Sequence, residues 1–168
     1  RRLHRHNAAL TTVTTDYRAR HQGGRMSTDI DALLAQASQL TNGLTDFGDS
    51  SFREGLEVFL ESAQTEGKLT DIGIAAAEGM ALGNLVNRLN VVEWHRTHPE
   101  LASTQVDSPI FLIGLPRTGT TALSHLLSVD PGNRSLLGWE INESVPPPTT
   151  DSYRTDPRFV AAMEAPDM

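Results

Sequence analysis

A glycine-bearing loop in the second half of the chain combines residue types that can bind an anion. Residues 110–113 read Ile-Phe-Leu-Ile, a continuous apolar run typical of a strand covered on both faces of a parallel sheet. Gly114 and Gly119 follow with the spacing of a nucleotide-binding P-loop, and residues 121–127 then predict a helix. A P-loop continues with Lys-Ser or Lys-Thr, whereas Thr120 and Thr121 stand here. The sequence therefore predicts a phosphate-binding loop without the lysine that neutralises the phosphates of a nucleoside triphosphate.

The groups that remain suit a donor with a 5′-phosphate and one further anionic group. Backbone N–H groups, threonine hydroxyls and one guanidinium could bind such a donor without magnesium. We expect the donor to be held by Pro116, Arg117, Thr118, Gly119, Thr120 and Thr121.

The loop resembles the phosphosulfate-binding loop of sulfotransferases that use 3′-phosphoadenosine 5′-phosphosulfate (PAPS). Residues 115–121 have the Leu-Pro-Arg-Thr-Gly-Thr-Thr form of the bacterial branch. Residues 44–48 and 52–56 are similar to the N-terminal part of actinobacterial members, and residues 138–140, Gly-Trp-Glu, are similar to a later segment. The resemblance covers about residues 27–168 and indicates an N-terminal fragment.

The resemblance implies a fold and a set of roles. The fold would be α/β, a P-loop-like parallel sheet with flanking helices, of which only the first strand, loop and helix are present, after an N-terminal helical segment. The activity would be sulfuryl transfer from PAPS to a hydroxyl or amine of a small-molecule, lipid or carbohydrate acceptor. Arg117 would neutralise the charge that develops during transfer. The 3′-phosphate and adenine sites would lie beyond residue 168, so we expect the chain alone to be inactive.

The acceptor proton needs a general base. Glu140 is the first candidate, and a surface or salt-bridged glutamate is its alternative. His125 is the second, although its place in the loop helix favours packing or hydrogen bonding. Trp139 could line the acceptor pocket, but a core position is favoured.

Two other functions stay open at this point. A nucleotide or small-molecule kinase with a degenerate P-loop would bind ATP with magnesium. A non-catalytic helical interaction domain would bind no adenosine phosphate at all.

Three helices are predicted ahead of the loop. Ile30, Leu33, Leu34, Ala37 and Leu40 form one helical face, which ends near Asn42 and Gly43. A capping box of Ser51 and Glu54 begins the second helix, and Thr70 and Asp71 begin a third that runs to about Arg96. Glycines at 73, 79 and 83 predict a close approach by another helix, with a possible bend. After the loop helix, Asp156 and Pro157 predict the start of another helix.

Composition limits the partners. Residues 1–25 hold six arginines and one acid and are interpreted as an upstream or disordered leader. The other residues carry 8 basic and 20 acidic side chains, and such an acidic body binds nucleic acid poorly, so no nucleic-acid partner is expected. There is no cysteine and no apolar run of membrane-spanning length. His95 and His98 lack further ligands at matching spacing, so no metal is expected. We expect a cytoplasmic enzyme. Residues 26–105 would form an N-terminal helical region, and residues 106–168 would form the incomplete start of an α/β domain. The oligomeric state stays open.

Overall fold

The computed structural model describes residues 29–115 and 117–164. Within these residues the chain forms six α-helices and a short 3-10 helix. They are α1 (Ile30–Leu40), α2 (Phe52–Thr65), α3 (Asp71–Thr97), the 3-10 helix (Pro99–Ser103), α4 (Thr120–Leu127), α5 (Gly138–Asn142) and α6 (Pro157–Glu164). The leader predicted at 1–25, and Pro116 of the loop, lie outside the described residues.

The buried apolar core lies between the first three helices. Its members are Leu33, Leu34, Ala37, Leu60, Ala77, Ala81, Leu82, Leu85 and Leu89. Ile30 and Leu40 pack against this cluster, so the face predicted for α1 is confirmed. Complete burial of a leucine such as Leu60 or Leu89 stabilises the fold by about 1.5–3 kcal/mol. These helices therefore form the packed part of the described chain.

The capping box predicted for α2 is wrong. Ser51 has helical φ and ψ angles of −58° and −24° and makes no side-chain cap, whereas a capping side chain needs an extended backbone. Asp49 Oδ1 instead accepts a hydrogen bond from Ser51 N at 2.9 Å. The chain therefore turns into α2 through a local aspartate turn. The predicted start of α3 is confirmed, because Thr70 Oγ1 accepts from Gly73 N at 3.2 Å.

The glycines of α3 do not serve a helix contact. Added methyl groups at Gly79 and Gly83 would have no atom within 4 Å. The helix buries a different set of positions, among them Leu82, Leu85 and Leu89. The close approach predicted from glycine spacing is therefore wrong, and α3 runs unbroken for 27 residues.

The strand predicted at 110–113 is not formed, and none of the described residues is in a strand. Ile110, Phe111 and Ile113 are 60%, 78% and 93% exposed. A strand requires a neighbour to pair its N–H and C=O groups, and the described residues offer none. The sheet of the predicted α/β fold is thus not confirmed. Leu123 and Leu126 on α4 are exposed as well, because the described residues provide no sheet against which they could pack.

A side-chain amide attaches the second half of the chain to the core. Asn87, on α3, donates from Nδ2 to Ile141 O at 2.9 Å and accepts at Oδ1 from Ser144 N at 3.0 Å. These bonds fix the end of α5 against α3. The helical core thereby positions the Trp139-Glu140 segment.

Candidate active site

The loop between residues 114 and 119 closes on itself through a threonine. Thr118 Oγ1 donates to Leu115 O at 2.6 Å. A Cβ at Gly114 would lie 2.8 Å from both Thr118 Oγ1 and Thr120 Cγ2, which is closer than real contacts allow. Gly119 has φ +89°, a left-handed conformation that L side chains rarely adopt. Both glycines of the predicted P-loop spacing are therefore required by the shape of the loop.

The loop leads directly into the N-terminus of α4. Leu123 N donates to Gly119 O at 3.0 Å as the first bond of that helix. The N–H groups of Thr120, Thr121 and Ala122 precede this bond and have no helical acceptor. Together with the helix dipole, they give this end a partial positive charge. An anion at this end would find donors already oriented.

Arg117 is the cation of the loop. Its φ of +68° places a non-glycine residue in the left-handed region, at a cost of about 1–2 kcal/mol. The residue is exposed and, within the described part of the chain, has no hydrogen-bond or ion-pair partner. Its guanidinium therefore keeps all five N–H donors for a ligand.

Glu140 is held in a buried position beside an arginine. Its side chain is 4% exposed and pairs with Arg134 through Oε1, while Oε2 accepts from Leu137 N at 2.8 Å. The arginine side chain is 63% exposed. Glu140 is therefore a buried, salt-bridged carboxylate, and each of its oxygens accepts one hydrogen bond.

The second candidate base lies elsewhere. His125 is in the last turn of α4 and is exposed. About 7.5 Å of helix axis separates it from Thr120, given 1.5 Å per residue. The packing role favoured from the sequence is not seen, because α4 buries none of its residues in the described structure.

An aromatic and cationic cluster supports the segment around Glu140. Trp139 packs edge-on against Tyr153 and Phe159, with ring centroids 5.4 and 6.2 Å apart, and Arg158 lies 5.2 Å above its ring. Trp139 is half-buried in this cluster and is not part of the buried core between α1, α2 and α3. Its Nε1 is buried and lacks a hydrogen-bond partner among the described residues.

Arg158 fixes this cluster to the preceding loop. It donates to Glu143 O, to Pro146 O at 2.7 Å and to Asp156 Oδ2 at 2.6 Å. The hydrogen bonds that the Arg158 side chain donates to the Asp156 carboxylate hold the pKa of Asp156 below its ordinary value of 3.8. Sequence analysis missed both Arg134 and Arg158, since their partners lie across irregular loops. Only the Asp156-x-Arg158 spacing gave a local signal.

The described residues contain no group of three or more histidine and acidic side chains able to hold a metal ion. His98 stacks on Trp94 with centroids 3.9 Å apart, and its Nδ1 lies 2.9 Å from Trp94 O. This histidine therefore has a structural role at the end of α3. In the same part of the chain, no helix is both long and apolar enough to cross a membrane.

Comparison with known proteins identifies the class to which this site corresponds. Residues 109–167 match the model of the sulfotransferase family. The solved crystal structure of a sulfotransferase from Mycobacterium avium is similar to 84% of this chain, with 36% sequence identity and a TM-score of 0.69. No curated protein matches. The predicted resemblance to bacterial members of the sulfotransferase family is therefore confirmed.

The chain matches only part of this relative. This chain spans 36% of the length of the Mycobacterium avium enzyme. The matched family segment includes the loop, α4, α5 and the whole of α6. The roles assigned to individual residues stay predictions.

Proposed function

We propose that this chain contributes the donor-binding part of a sulfotransferase that transfers the sulfuryl group of PAPS to a hydroxyl or amine. The observation that carries the proposal is the loop from Gly114 to Thr121, in which a helix N-terminus follows an arginine that has no ion-pair partner among the described residues. The missing P-loop lysine disfavours a kinase. The family match over residues 109–167 supports the same class of reaction.

In this proposal the 5′-phosphate of the donor lies at the N-terminus of α4. The N–H groups and hydroxyls of Thr120 and Thr121 donate to its oxygens. Arg117 donates to the bridging oxygen and to the sulfuryl group. These contacts orient the donor and stabilise negative charge without requiring a proton from the protein.

Transfer itself moves one group between two oxygens. The bond from sulfur to the bridging phosphate oxygen breaks as a bond forms from sulfur to the acceptor oxygen. The bridging oxygen takes the electron pair, and its charge grows beside Arg117. The acceptor proton passes to a base, for which Glu140 remains the first candidate. Each Glu140 oxygen already accepts one hydrogen bond, so the acceptor proton would go to a remaining lone pair of one of these oxygens.

The proposal is tested by Arg117→Ala and Arg117→Lys in the full-length protein. If the guanidinium acts mainly on the transition state, alanine should lower kcat at least 100-fold and change donor Kd much less, while lysine should restore part of the rate. Arg53→Ala is the matched control, because Arg53 is half exposed and belongs to a surface pair with Asp31 at 3.4 Å. An unchanged kcat in Arg117→Ala would refute the assigned role.

A further inference from the structure

A polar cavity lies beside Arg134, the ion-pair partner of Glu140. Its volume is about 430 Å³, within the range of small-molecule sites. The lining residues are Arg134, Pro148, Thr149, Thr150, Asp151, Tyr153 and Arg154. Most of these side chains are polar, which distinguishes the cavity from the apolar groove between α2 and α3.

Two of the lining residues contact the Trp139-Glu140 dipeptide. Arg134 pairs with the Glu140 carboxylate. Tyr153 packs edge-on against Trp139, with ring centroids 5.4 Å apart. Arg134 and Tyr153 therefore contact both the cavity and the Trp139-Glu140 dipeptide. A molecule bound in the cavity would lie next to these two residues.

Two arginines and one acid line the cavity, and one of the arginines forms no ion pair within the described residues. Arg134 is partly neutralised by Glu140, yet one Nη atom makes that contact and the side chain is mostly exposed. Arg154 is exposed and has no hydrogen-bond or ion-pair partner in the described ranges. Asp151 is the one acid in the lining, and it is exposed to solvent. The threonine hydroxyl of Thr149 is shared with Ser152 Oγ at 2.8 Å.

We propose that this cavity selects acceptors that carry a carboxylate, which Arg154 binds together with the free donors of Arg134. A planar guanidinium matches a carboxylate through two parallel hydrogen bonds, so arginine suits this recognition better than lysine. The acceptor hydroxyl then lies toward Glu140. The inference rests on the proposed function and names the substrate class of the same site.

Isothermal titration of the full-length protein with two matched probes tests this inference. The probes are 4-hydroxyphenylacetate and its neutral methyl ester. The carboxylate should bind at least about tenfold more tightly, the size expected of a charge-assisted pair. Arg154→Gln should remove most of that preference, and Arg154→Lys should restore only part of it. Arg53→Gln, which changes an arginine outside the cavity lining, should keep the preference intact.

Two results would overturn the inference. One is equal or absent binding of the two probes to the unchanged protein, and the other is a preference that survives Arg154→Gln. A separate titration with adenosine 3′,5′-bisphosphate distinguishes this failure from failure of the proposed function. If that ligand binds while the carboxylate preference is missing, the donor site stands and the acceptor inference alone is wrong. If it does not bind, the proposed function fails.

Discussion

Gly114→Ala should weaken donor binding through a clash inside the loop. The new Cβ would lie 2.8 Å from Thr118 Oγ1 and 2.8 Å from Thr120 Cγ2, whereas ordinary contacts begin at 3.4 Å. Each neighbour would have to move by about 0.6 Å. Thr118 would lose or distort its bond to Leu115 O, worth about 0.5–1.5 kcal/mol, and overpacking adds about 1–3 kcal/mol.

Part of this cost falls on loop stability and part on the donor-bound geometry. We therefore expect donor affinity to fall about 10- to 100-fold, which corresponds to about 1.4–2.8 kcal/mol. Titration calorimetry of the full-length variant with adenosine 3′,5′-bisphosphate measures the change. Gly138→Ala is the matched control, because an added methyl group there has no atom within 4 Å. Equal affinity of the Gly114→Ala variant and the unchanged protein would refute the role given to this loop.

Three further changes probe the base, the loop clamp and the core. Glu140→Gln should lower kcat by about 100-fold or more if Glu140 takes the acceptor proton; a near-normal rate would move the assignment to His125 or to a residue outside this chain. Asp156→Asn should destabilise the protein in urea above pH 5, because hydrogen bonds from Arg158 hold the pKa of Asp156 below 3.8 in the fold. The difference in unfolding free energy between Asp156→Asn and the unchanged protein should shrink as the pH falls below 3.8 and through the lower pKa that Asp156 has in the folded state. A difference that does not change with pH would contradict a stabilising Asp156–Arg158 pair. Gly79→Ala should stabilise α3 by about 0.5–1 kcal/mol, because the position is helical and no atom lies within 4 Å of the added methyl group. A lower melting temperature of the variant would contradict the open surroundings of Gly79.

The features that sequence could predict are those set by neighbouring residues. The apolar face of α1 follows from a spacing of three and four residues, and it is buried as expected. The need for Gly114 and Gly119 could be predicted from the P-loop spacing, because a loop this tight leaves no room for a Cβ at Gly114 and requires a positive φ at Gly119. The capping box at Ser51 failed because Asp49, two residues earlier, offers the backbone a competing turn.

The features that sequence could not predict depend on distant partners. Arg134 and Glu140 meet across an irregular segment, and Arg158 reaches Glu143 and Pro146 carbonyls that no periodic pattern marks. The apolar run at 110–113 indicates a strand only when another strand pairs with it, and the described residues contain none. The prediction that the chain alone is inactive remains to be tested.

The most direct test of the central claim is a donor titration of the full-length protein in EDTA. We predict saturable binding of adenosine 3′,5′-bisphosphate that magnesium does not strengthen and that ATP competes for only weakly, because the Arg117 loop lacks the P-loop lysine. Nucleotide binding that requires magnesium and prefers ATP would contradict the account.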